Sequence, residues 1–365
     1  LLDDSHVAMN VNLDACIQCN LCVRACREVQ VNDVIGLAGR GHDAKIVFDM
    51  DDPMGESSCV ACGECVQACP TGALMPASNV DASQIGDSMD FDREVKSVCP
   101  FCGVGCQISL KIKDDKVKWV DGIDGPANEN RLCVKGRFGF DYIDHYHRLT
   151  KPLIRRDGAP KGLNVNPEDP SSHFREASWE EALTFAANGL RGRGREVAGF
   201  GSAKCTNEEA YLFQKFIRQG FGHNNVDHCT RLCHASSVAA LMENVGSAAV
   251  TATFNEIENS DVAIVIGANP TENHPVAATY FKQFSKRGGK LIVMDPRGQA
   301  LKRHSSHMLQ FRPGADVSML NAIMHVIVEE GLYDDDYVAK YTENWEAQKE
   351  HLKDFSPEKM APICG

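Results

Sequence analysis

The second half of the chain alternates between short apolar runs and amphipathic stretches. Each apolar run has the length of a buried strand, and each amphipathic stretch repeats its apolar residues with a period near that of a helix. Strands that alternate with helices in this way are typical of a doubly wound α/β domain with a parallel sheet. The predicted strands are Val197–Gly201, Val262–Ile266 and Lys290–Met294, and the predicted helices are Glu180–Leu190, Glu208–Gln219 and Pro275–Arg287.

Glycine-rich and polar turns follow the later strands of this pattern. Gly267–Glu272 and Asp295–Arg297 each come directly after an apolar strand, and a similar turn, Arg312–Asp316, follows further on. Ligands of open α/β sheets bind beyond the carboxyl ends of the strands, so these turns are candidate binding loops, although each alone could be a plain connection. The chain has neither a G-x-G-x-x-G nor a Walker A motif, which argues against an ordinary NAD or ATP site.

The first 150 residues follow a different pattern. Gln107–Lys113 and Lys116–Val120 alternate between apolar and polar residues around Asp114-Asp115, which predicts a β-hairpin. The stretch Ala77–Glu94 is rich in Ser, Asp and Gly and predicts a linker, or else a strap over a neighbouring segment. The predicted domains are residues 1–76, 97–150 and 151–365, with a linker over 77–96.

Composition and charge narrow the class of protein. The 365 residues are 43% apolar and 24% charged, as in ordinary globular proteins, and no apolar run approaches the roughly 18 residues of a membrane span. Residues 1–98 hold 6 Lys and Arg against 16 Asp and Glu, which argues against nucleic-acid binding and leaves a solubilising surface or a docking face for a protein. Because the chain starts at Leu1 and stops at Gly365, we expect it to be a piece of a longer polypeptide.

Cysteine spacing carries the clearest chemical signal. The chain has 16 cysteines, and eight of them form two C-x-x-C-x-x-C-x-x-x-C runs, the second followed by Pro70. This is the spacing of bacterial two-cluster ferredoxins, in which the fourth cysteine of each run binds the other cluster. Disulfides and zinc ribbons fit such runs poorly. The spacing predicts one [4Fe–4S] cluster on Cys16, Cys19, Cys22 and Cys69, and another on Cys59, Cys62, Cys65 and Cys26.

A third group of cysteines follows with a different spacing. Cys99, Cys102, Cys106 and Cys133 form C-x-x-C-x-x-x-C with the last member 26 residues further on. Alone, this group fits a zinc site or an iron–sulfur cluster. Beside two ferredoxin clusters, a third [4Fe–4S] cluster is favoured, because electron transfer needs successive stations. Among the remaining cysteines, Cys205 and Cys229 are expected to be small buried residues, and Cys364 is left unassigned.

The ordered series of motifs resembles one family over nearly the whole chain. The motifs that carry the resemblance are the two ferredoxin runs, the third group with Cys-Val-Lys-Gly-Arg at 133–137, Thr206–Glu209, Asn224–His234, Val265–Pro275 and Asp295–Arg297. With this series the chain is similar to the catalytic α subunit of molybdenum- or tungsten-dependent formate dehydrogenases, which carry a bis-(molybdopterin guanine dinucleotide) cofactor, and most of all to the soluble NAD-dependent type.

The resemblance implies roles for individual residues. Cys233 matches the cysteine or selenocysteine that binds the metal, and His234 matches the neighbouring histidine that handles protons or orients formate. Lys135 matches a lysine between the third cluster and a pterin. The matches to guanine-dinucleotide contacts are Gly267, Asn269, Glu272, Asp295, Arg297, Gly314 and Asp316. An arginine that binds formate, and part of the second pterin site, are expected beyond Gly365.

Plainer roles compete for several of these residues. Lys135 fits a solvated surface cation equally well. A lone histidine is more often a core or surface residue than a catalytic one, but the position of His234 next to the matched cysteine favours the functional role. Asp295 and Asp316 could be helix caps.

The resemblance also implies a reaction and partners. It implies reversible oxidation of formate to CO2 in the cytoplasm, with electrons passing through three [4Fe–4S] clusters to flavin- and iron–sulfur-containing subunits linked to NAD. A related nitrate reductase and an iron-only hydrogenase are rivals among enzymes. An electron-transfer subunit resembling the large iron–sulfur subunit of respiratory complex I, with a non-catalytic pterin domain, is the rival from another class. The two ferredoxin runs together with Arg-Leu-Cys-His at 231–234 favour formate dehydrogenase over nitrate reductase. The sequence has no further cysteine-rich cluster motif after Cys133, which argues against the hydrogenase, and the pair Cys233-His234 argues against the electron-transfer subunit.

Overall fold

The computed structural model describes residues 2–79, 90–162, 164–166 and 168–365. It is a mixed structure of helices and small sheets, in which three successive parts of the chain pack against one another. The middle of the predicted linker, residues 80–89, lies outside the described residues. In the described part of the chain, no helix is long and apolar enough to cross a membrane.

The N-terminal part consists of two small antiparallel sheets and two short helices that surround a compact core. One sheet has the strand order β1-β2-β5, and β3 and β4 form the other. Met9, Val11, Phe48 and Met54 are buried in the core together with several of the cysteines. The elements are β1 (Leu2–Asp3), β2 (Met9–Asn12), α1 (Leu21–Arg24), which a π-helical turn extends over Ala25–Val29, β3 (Ile35–Ala38), β4 (Lys45–Phe48), α2 (Glu64–Ala68) and β5 (Leu74–Pro76).

The next part is a three-stranded antiparallel sheet followed by one short helix. The predicted hairpin is confirmed, and its two turn residues, Asp114 and Asp115, have φ angles of 51° and 60°, as a type I′ turn requires. The first strand starts at Arg93, so the last residues of the predicted linker belong to the sheet. The elements are β6 (Arg93–Val98), β7 (Gln107–Lys113), β8 (Lys116–Gly122) and α3 (Val134–Phe138).

Seven short strands follow in the residues that the structure describes between 151 and 365. β9 and β10 form an antiparallel pair, β11 and β12 a parallel pair, and β13-β14-β15 a parallel sheet. The predicted strands at 262–266 and 290–294 are confirmed, whereas the predicted strand at 197–201 is shorter. The bounds are β9 (Leu153–Arg155), β10 (Phe174–Glu176), β11 (Gly199–Gly201), β12 (Val226–His228), β13 (Val262–Ile266), β14 (Lys290–Met294) and β15 (His307–Leu309).

The expectation of one doubly wound sheet is too simple for the described residues, where the parallel strands form two separate sheets. Strands β11 and β12 have only three residues each, and the next strand in the chain, β13, pairs with β14 instead. Hydrophobic alternation identifies strands but does not choose their neighbours, so the sequence pattern merged two sheets into one.

In the described residues of this part, ten helices accompany the strands, and the three predicted helices are present. Helix α5 begins at a complete capping box, in which Thr206 and Glu209 satisfy each other's backbone amides. The helices are α4 (Trp179–Leu190), α5 (Asn207–Phe221), α6 (Thr230–Cys233), α7 (Ala235–Val245), α8 (Pro270–Asn273), α9 (Pro275–Lys286), α10 (Asp316–Glu329), α11 (Asp335–Tyr341), α12 (Trp345–Leu352) and α13 (Pro357–Cys364).

Helix α9 attaches the third part of the chain to the N-terminal part. The last carbonyl groups of the helical segment 21–29 lack partners within their own helix, as at any helix end. Side chains of α9 supply those partners: Lys286 Nζ donates to the Arg27 carbonyl at 3.2 Å, and Gln283 Nε2 to the Glu28 carbonyl at 2.9 Å. Lys282 Nζ bonds Asn32 Oδ1 at 2.9 Å. The helix that bears Cys22 and Cys26 is therefore capped by a distant part of the chain.

Candidate functional site

The two ferredoxin-like cysteine runs fold into loops of the same shape. In the first loop Gln18 and Asn20 have φ angles of 56° and 61°, and in the second Ala61 and Gly63 have 55° and 67°. Each loop also donates a backbone amide to its first sulfur atom, from Gln18 to Cys16 Sγ at 3.4 Å and from Ala61 to Cys59 Sγ at 3.3 Å. The paired left-handed residues curl each loop around its own thiols.

The structure places the fourth cysteine of each run beside the other run. Burial raises the pKa of Cys22 to about 11, and the nearby thiols of Cys16, Cys69 and Cys19 add to the rise. Burial likewise raises the pKa of Cys65, beside Cys62, Cys59 and Cys26. Each of the two predicted ligand sets is thus together in space. Buried soft thiols that resist ionisation fit a site for iron, whose positive charge would stabilise the thiolates.

The third group of cysteines is also gathered. Cys99, Cys106 and Cys133 are buried, and the Cys99 amide bonds the Cys106 carbonyl at 2.8 Å, which closes the loop. Burial raises the pKa of Cys106 to about 12, and Cys99, Cys102 and Cys133 lie close enough to raise it further. No three metal-binding side chains of the described residues converge on a point that would hold a single metal ion. A four-iron cluster binds each thiolate through a different iron atom.

Cluster loading should depend on pH, because the thiols must lose their protons when iron binds. With the pKa of Cys22 at about 11 and those of Cys62 and Cys106 at about 12, all three are protonated at neutral pH without metal. We expect iron and sulfide uptake by the iron-free protein to release protons, and the apparent iron affinity to rise between pH 7 and pH 9. Anaerobic reconstitution followed by iron analysis at each pH measures this. An affinity that does not change with pH would contradict the buried thiol state.

Cys233 and His234 lie just past the carboxyl end of β12. This strand leads through Cys229 into α6, which ends at Cys233, and His234 connects α6 to α7. Asp227 accepts a hydrogen bond from Arg231 Nε at 2.9 Å, which braces the turn. Both Cys233 and His234 are exposed. Cys229 is exposed as well and Cys205 is half-buried, so the expectation that both are buried is wrong. The chain turn after β12 directs Cys229 toward the solvent.

A lysine absent from the sequence prediction links this region to the third cysteine group. Lys204, just after β11, donates from Nζ to the carbonyl oxygens of Pro100 and Phe101 at 3.2 and 2.6 Å. These carbonyls belong to the loop that holds Cys99 and Cys102. The sheet that leads to Cys233 is thereby tied to the third cysteine group, by a contact for which the sequence contains no local signal.

Four of the predicted dinucleotide contacts share the carboxyl edge of the sheet β13-β14-β15. Gly267 follows β13 with φ 59° and has no atom within 4 Å of the place of a Cβ, so its backbone is open to a ligand. Asn269 is buried in the same turn, and Asp295, directly after β14, is buried and accepts the Arg297 amide at 2.8 Å.

A further residue at this edge, Gln299, was missed by the sequence analysis. Its Nε2 donates to the Ala268 carbonyl at 2.7 Å and to Asp295 Oδ2 at 3.3 Å. Its Oε1 is buried and has no hydrogen-bond partner among the described residues. A buried acceptor left unpaired is costly, and a hydrogen-bond donor on a bound nucleotide would satisfy it. The edge therefore fits a dinucleotide.

The other predicted contacts lie elsewhere. Lys135 and Glu272 line a cavity of about 550 Å³ that also reaches Cys62, Cys133 and Lys282. Gly314 has φ 84° with open space at its Cβ position, and Asp316 is the first residue of α10 rather than its N-cap. The structure thus brings Lys135 and Glu272 to one cavity and leaves Cys233 and His234 on the other parallel sheet.

Comparison with known proteins identifies the family. Residues 148–363 match the molybdopterin oxidoreductase family, residues 92–145 its Fe4S4 domain, and residues 15–73 a 4Fe-4S dicluster domain. The chain belongs to the molybdopterin oxidoreductases, with iron–sulfur domains ahead of the pterin domain.

Individual relatives support this assignment. A probable oxidoreductase of Bacillus subtilis is 34% identical over 97% of this chain and 38% of its own length. The α subunit of an F420-dependent formate dehydrogenase of Methanocaldococcus jannaschii is 38% identical over 74% of this chain and 38% of its own length. Several staphylococcal relatives also carry formate dehydrogenase in their names. The chain spans less than two fifths of the length of these relatives.

A solved structure shares the fold. Acetylene hydratase from Pelobacter acetylenicus aligns with a TM-score of 0.57 and 21% identity, over 74% of this chain and 36% of its own. At this identity the likeness supports the architecture alone.

Proposed function

We propose that this protein is a formate dehydrogenase, which oxidises formate reversibly to CO2 and releases two electrons and a proton. The observation that carries the proposal is the position of Cys233-His234 past the carboxyl end of β12, in a sheet that Lys204 ties to the third cysteine group. Ligands of such sheets bind beyond the carboxyl ends of the strands. Relatives named formate dehydrogenase, at up to 38% identity, support the choice of substrate.

The residues divide into three roles. Cys233 would bind molybdenum or tungsten through its soft thiolate, and His234 would orient formate or hold the released proton. Lys135 would lie between the third cluster and a pterin. The dinucleotide would be held at the turns that contain Gly267, Asn269, Glu272, Asp295, Arg297, Gly314 and Asp316. When bound, the bis-(molybdopterin guanine dinucleotide) cofactor supplies the two-electron chemistry.

The three cysteine groups define the proposed route by which electrons leave. Cys99, Cys102, Cys106 and Cys133 would hold the cluster next to the pterin, and the two crossed sets would hold the next two. Cys19 is exposed and Cys16 half-buried, so the first cluster would lie nearest the surface. We infer a flavin- and iron–sulfur-containing partner linked to NAD. Among the relatives, the acceptor named in Methanocaldococcus jannaschii is F420.

Metal analysis and activity together test this proposal. The full-length protein, purified anaerobically after expression with molybdate or tungstate, should contain about one molybdenum or tungsten and about twelve irons per chain. With formate as the electron donor, the same sample should reduce a dye but should not reduce nitrate. Iron without either heavy metal, and no formate activity, would point instead to an electron-transfer subunit with a non-catalytic pterin domain.

A further inference from the structure

A buried ion pair joins the N-terminal part of the chain to the three-stranded part. Arg137, on α3, is 2% exposed, and its Nη2 lies 3.3 Å from Oε2 of Glu64, which is also buried on α2. Asp121, which is partly exposed, lies 3.7 Å from Nη1 of the same arginine. Burying charged groups is costly, so such a pair is weak evidence for stability and calls for another explanation.

The same arginine connects the backbone of two cysteines from different groups. Arg137 Nε donates to the Cys62 carbonyl at 2.8 Å, and the Arg137 amide donates to the Cys133 carbonyl at 3.0 Å. Cys62 belongs to the second cysteine group and Cys133 to the third. The amide bond is the ordinary first i→i−4 bond of α3, so the specific link is the side-chain bond, by which Arg137 joins the helix that follows Cys133 to the loop of Cys62.

Close packing places α3 against both groups. A Cβ at Gly63, in the second loop, would lie 2.1 Å from Arg137 Cδ, so the arginine lies directly on that loop. A Cβ at Gly136 would lie 3.4 Å from Cys99 Sγ, so the preceding residue lies against the third group. Helix α3 therefore lies between the second and third groups of cysteines.

Glu64 reaches back across the same boundary. Its Oε2 accepts hydrogen bonds from Gln30 Nε2 at 3.2 Å and from the Leu132 amide at 3.5 Å. Gln30 Nε2 also donates to the Leu132 carbonyl at 3.0 Å. Leu132 is the residue before Cys133, so the carboxylate is held in place by both parts of the chain and cannot turn away from Arg137 without breaking these bonds.

We propose that Arg137 is a positioning residue that holds the loop of the second cluster against the helix next to the third cluster. Its positive charge raises the reduction potential of the second cluster, and Glu64 is its counter-charge. The inference rests on the proposed function for the presence of the clusters. In this electron transfer the third cluster loses one electron and is oxidised, and the second cluster gains that electron and is reduced. No bond forms or breaks. A fixed positive charge favours the more negative, reduced cluster, and a carboxylate disfavours it.

The test is a redox titration of the cluster-loaded full-length protein, followed by electron paramagnetic resonance. Arg137→Gln should lower the reduction potential of the second cluster relative to that of the third by about 59 mV. For a one-electron couple this is about a tenfold shift of the electron toward the third cluster. Glu64→Gln should shift it in the opposite direction, and the double variant should return near the wild type. The control is Arg24→Gln, which removes an exposed cation paired with Glu28 near Cys22 and Cys26 and should shift little, because water screens it.

The outcomes separate this inference from the proposed function. Opposite shifts in the two single variants, with full iron content, support it whether or not the protein oxidises formate. Shifts in the same direction, or no shift in either variant, would overturn it and leave a purely structural pair. If Arg137→Gln loses iron, the potentials are measured on Arg137→Lys and Glu64→Gln instead. An unchanged potential in Glu64→Gln then also overturns the inference. A protein that takes up no second cluster overturns both proposals.

Discussion

Replacement of Cys233 by alanine is expected to lower the rate of formate oxidation about a thousandfold or more, as is typical when a group at the reacting centre is removed. Cys233 lies just past the carboxyl end of β12, and in the proposed function its thiolate is the protein's own ligand to the metal. The three cysteine groups that would hold the clusters do not include it. Formate:dye activity, with iron and molybdenum or tungsten measured on the same sample, gives the result.

The chain supplies a matched control for this variant. Cys229 is also exposed and stands at the start of the same short helix. Cys229→Ala should keep wild-type activity and metal content, and both variants should keep their iron. If Cys233→Ala oxidises formate at nearly the wild-type rate with the heavy metal still bound, the ligand role of Cys233 is wrong, and the proposed site must be sought elsewhere in the protein.

Replacement of Gly63 by alanine is expected to cost about 2–4 kcal/mol and to remove the proposed second cluster, with about four irons lost per chain. The added Cβ would lie 2.1 Å from Arg137 Cδ and 2.7 Å from its Nε, and Arg137 is buried and cannot retreat without leaving Glu64. Unfolding by denaturant and iron analysis measure the two effects.

The conformation of Gly63 is not what excludes alanine. Ala61 in the same loop, and Asn20 at the matching place in the first loop, already have positive φ angles with a side chain. The control is Gly158→Ala, where φ is 75° and nothing lies within 4 Å of the new Cβ. It should cost about 1–2 kcal/mol for the left-handed conformation and leave the iron content unchanged. Equal costs in the two variants would show that contact with Arg137 is unimportant.

Much of the local structure follows from short-range pattern. The hairpin at 107–120 and the strands at 262–266 and 290–294 were predictable, because alternation and apolar runs reflect the immediate neighbours of each residue. The helix predicted at 208–219 is present for the same reason, and the capping box that starts it involves only Thr206 and Glu209, three positions apart. The grouping of parallel strands into two sheets was not, because partner choice depends on packing between distant segments.

The chemistry of the protein divides in the same way. Thiol spacing by itself determined that two runs of cysteines suit a pair of iron–sulfur clusters, because such clusters take most of their ligands from one short loop at fixed offsets. The spacing of the third group alone left a cluster and a zinc site both open. Only the tertiary structure decided that Arg137 meets Glu64, that Lys204 reaches the third loop, and that Gln299 lies beside Asp295 with an unpaired oxygen. Arg137 and Glu64 are 73 residues apart. A buried polar group must find a partner somewhere, but folding, not the local pattern, decides which distant residue provides it.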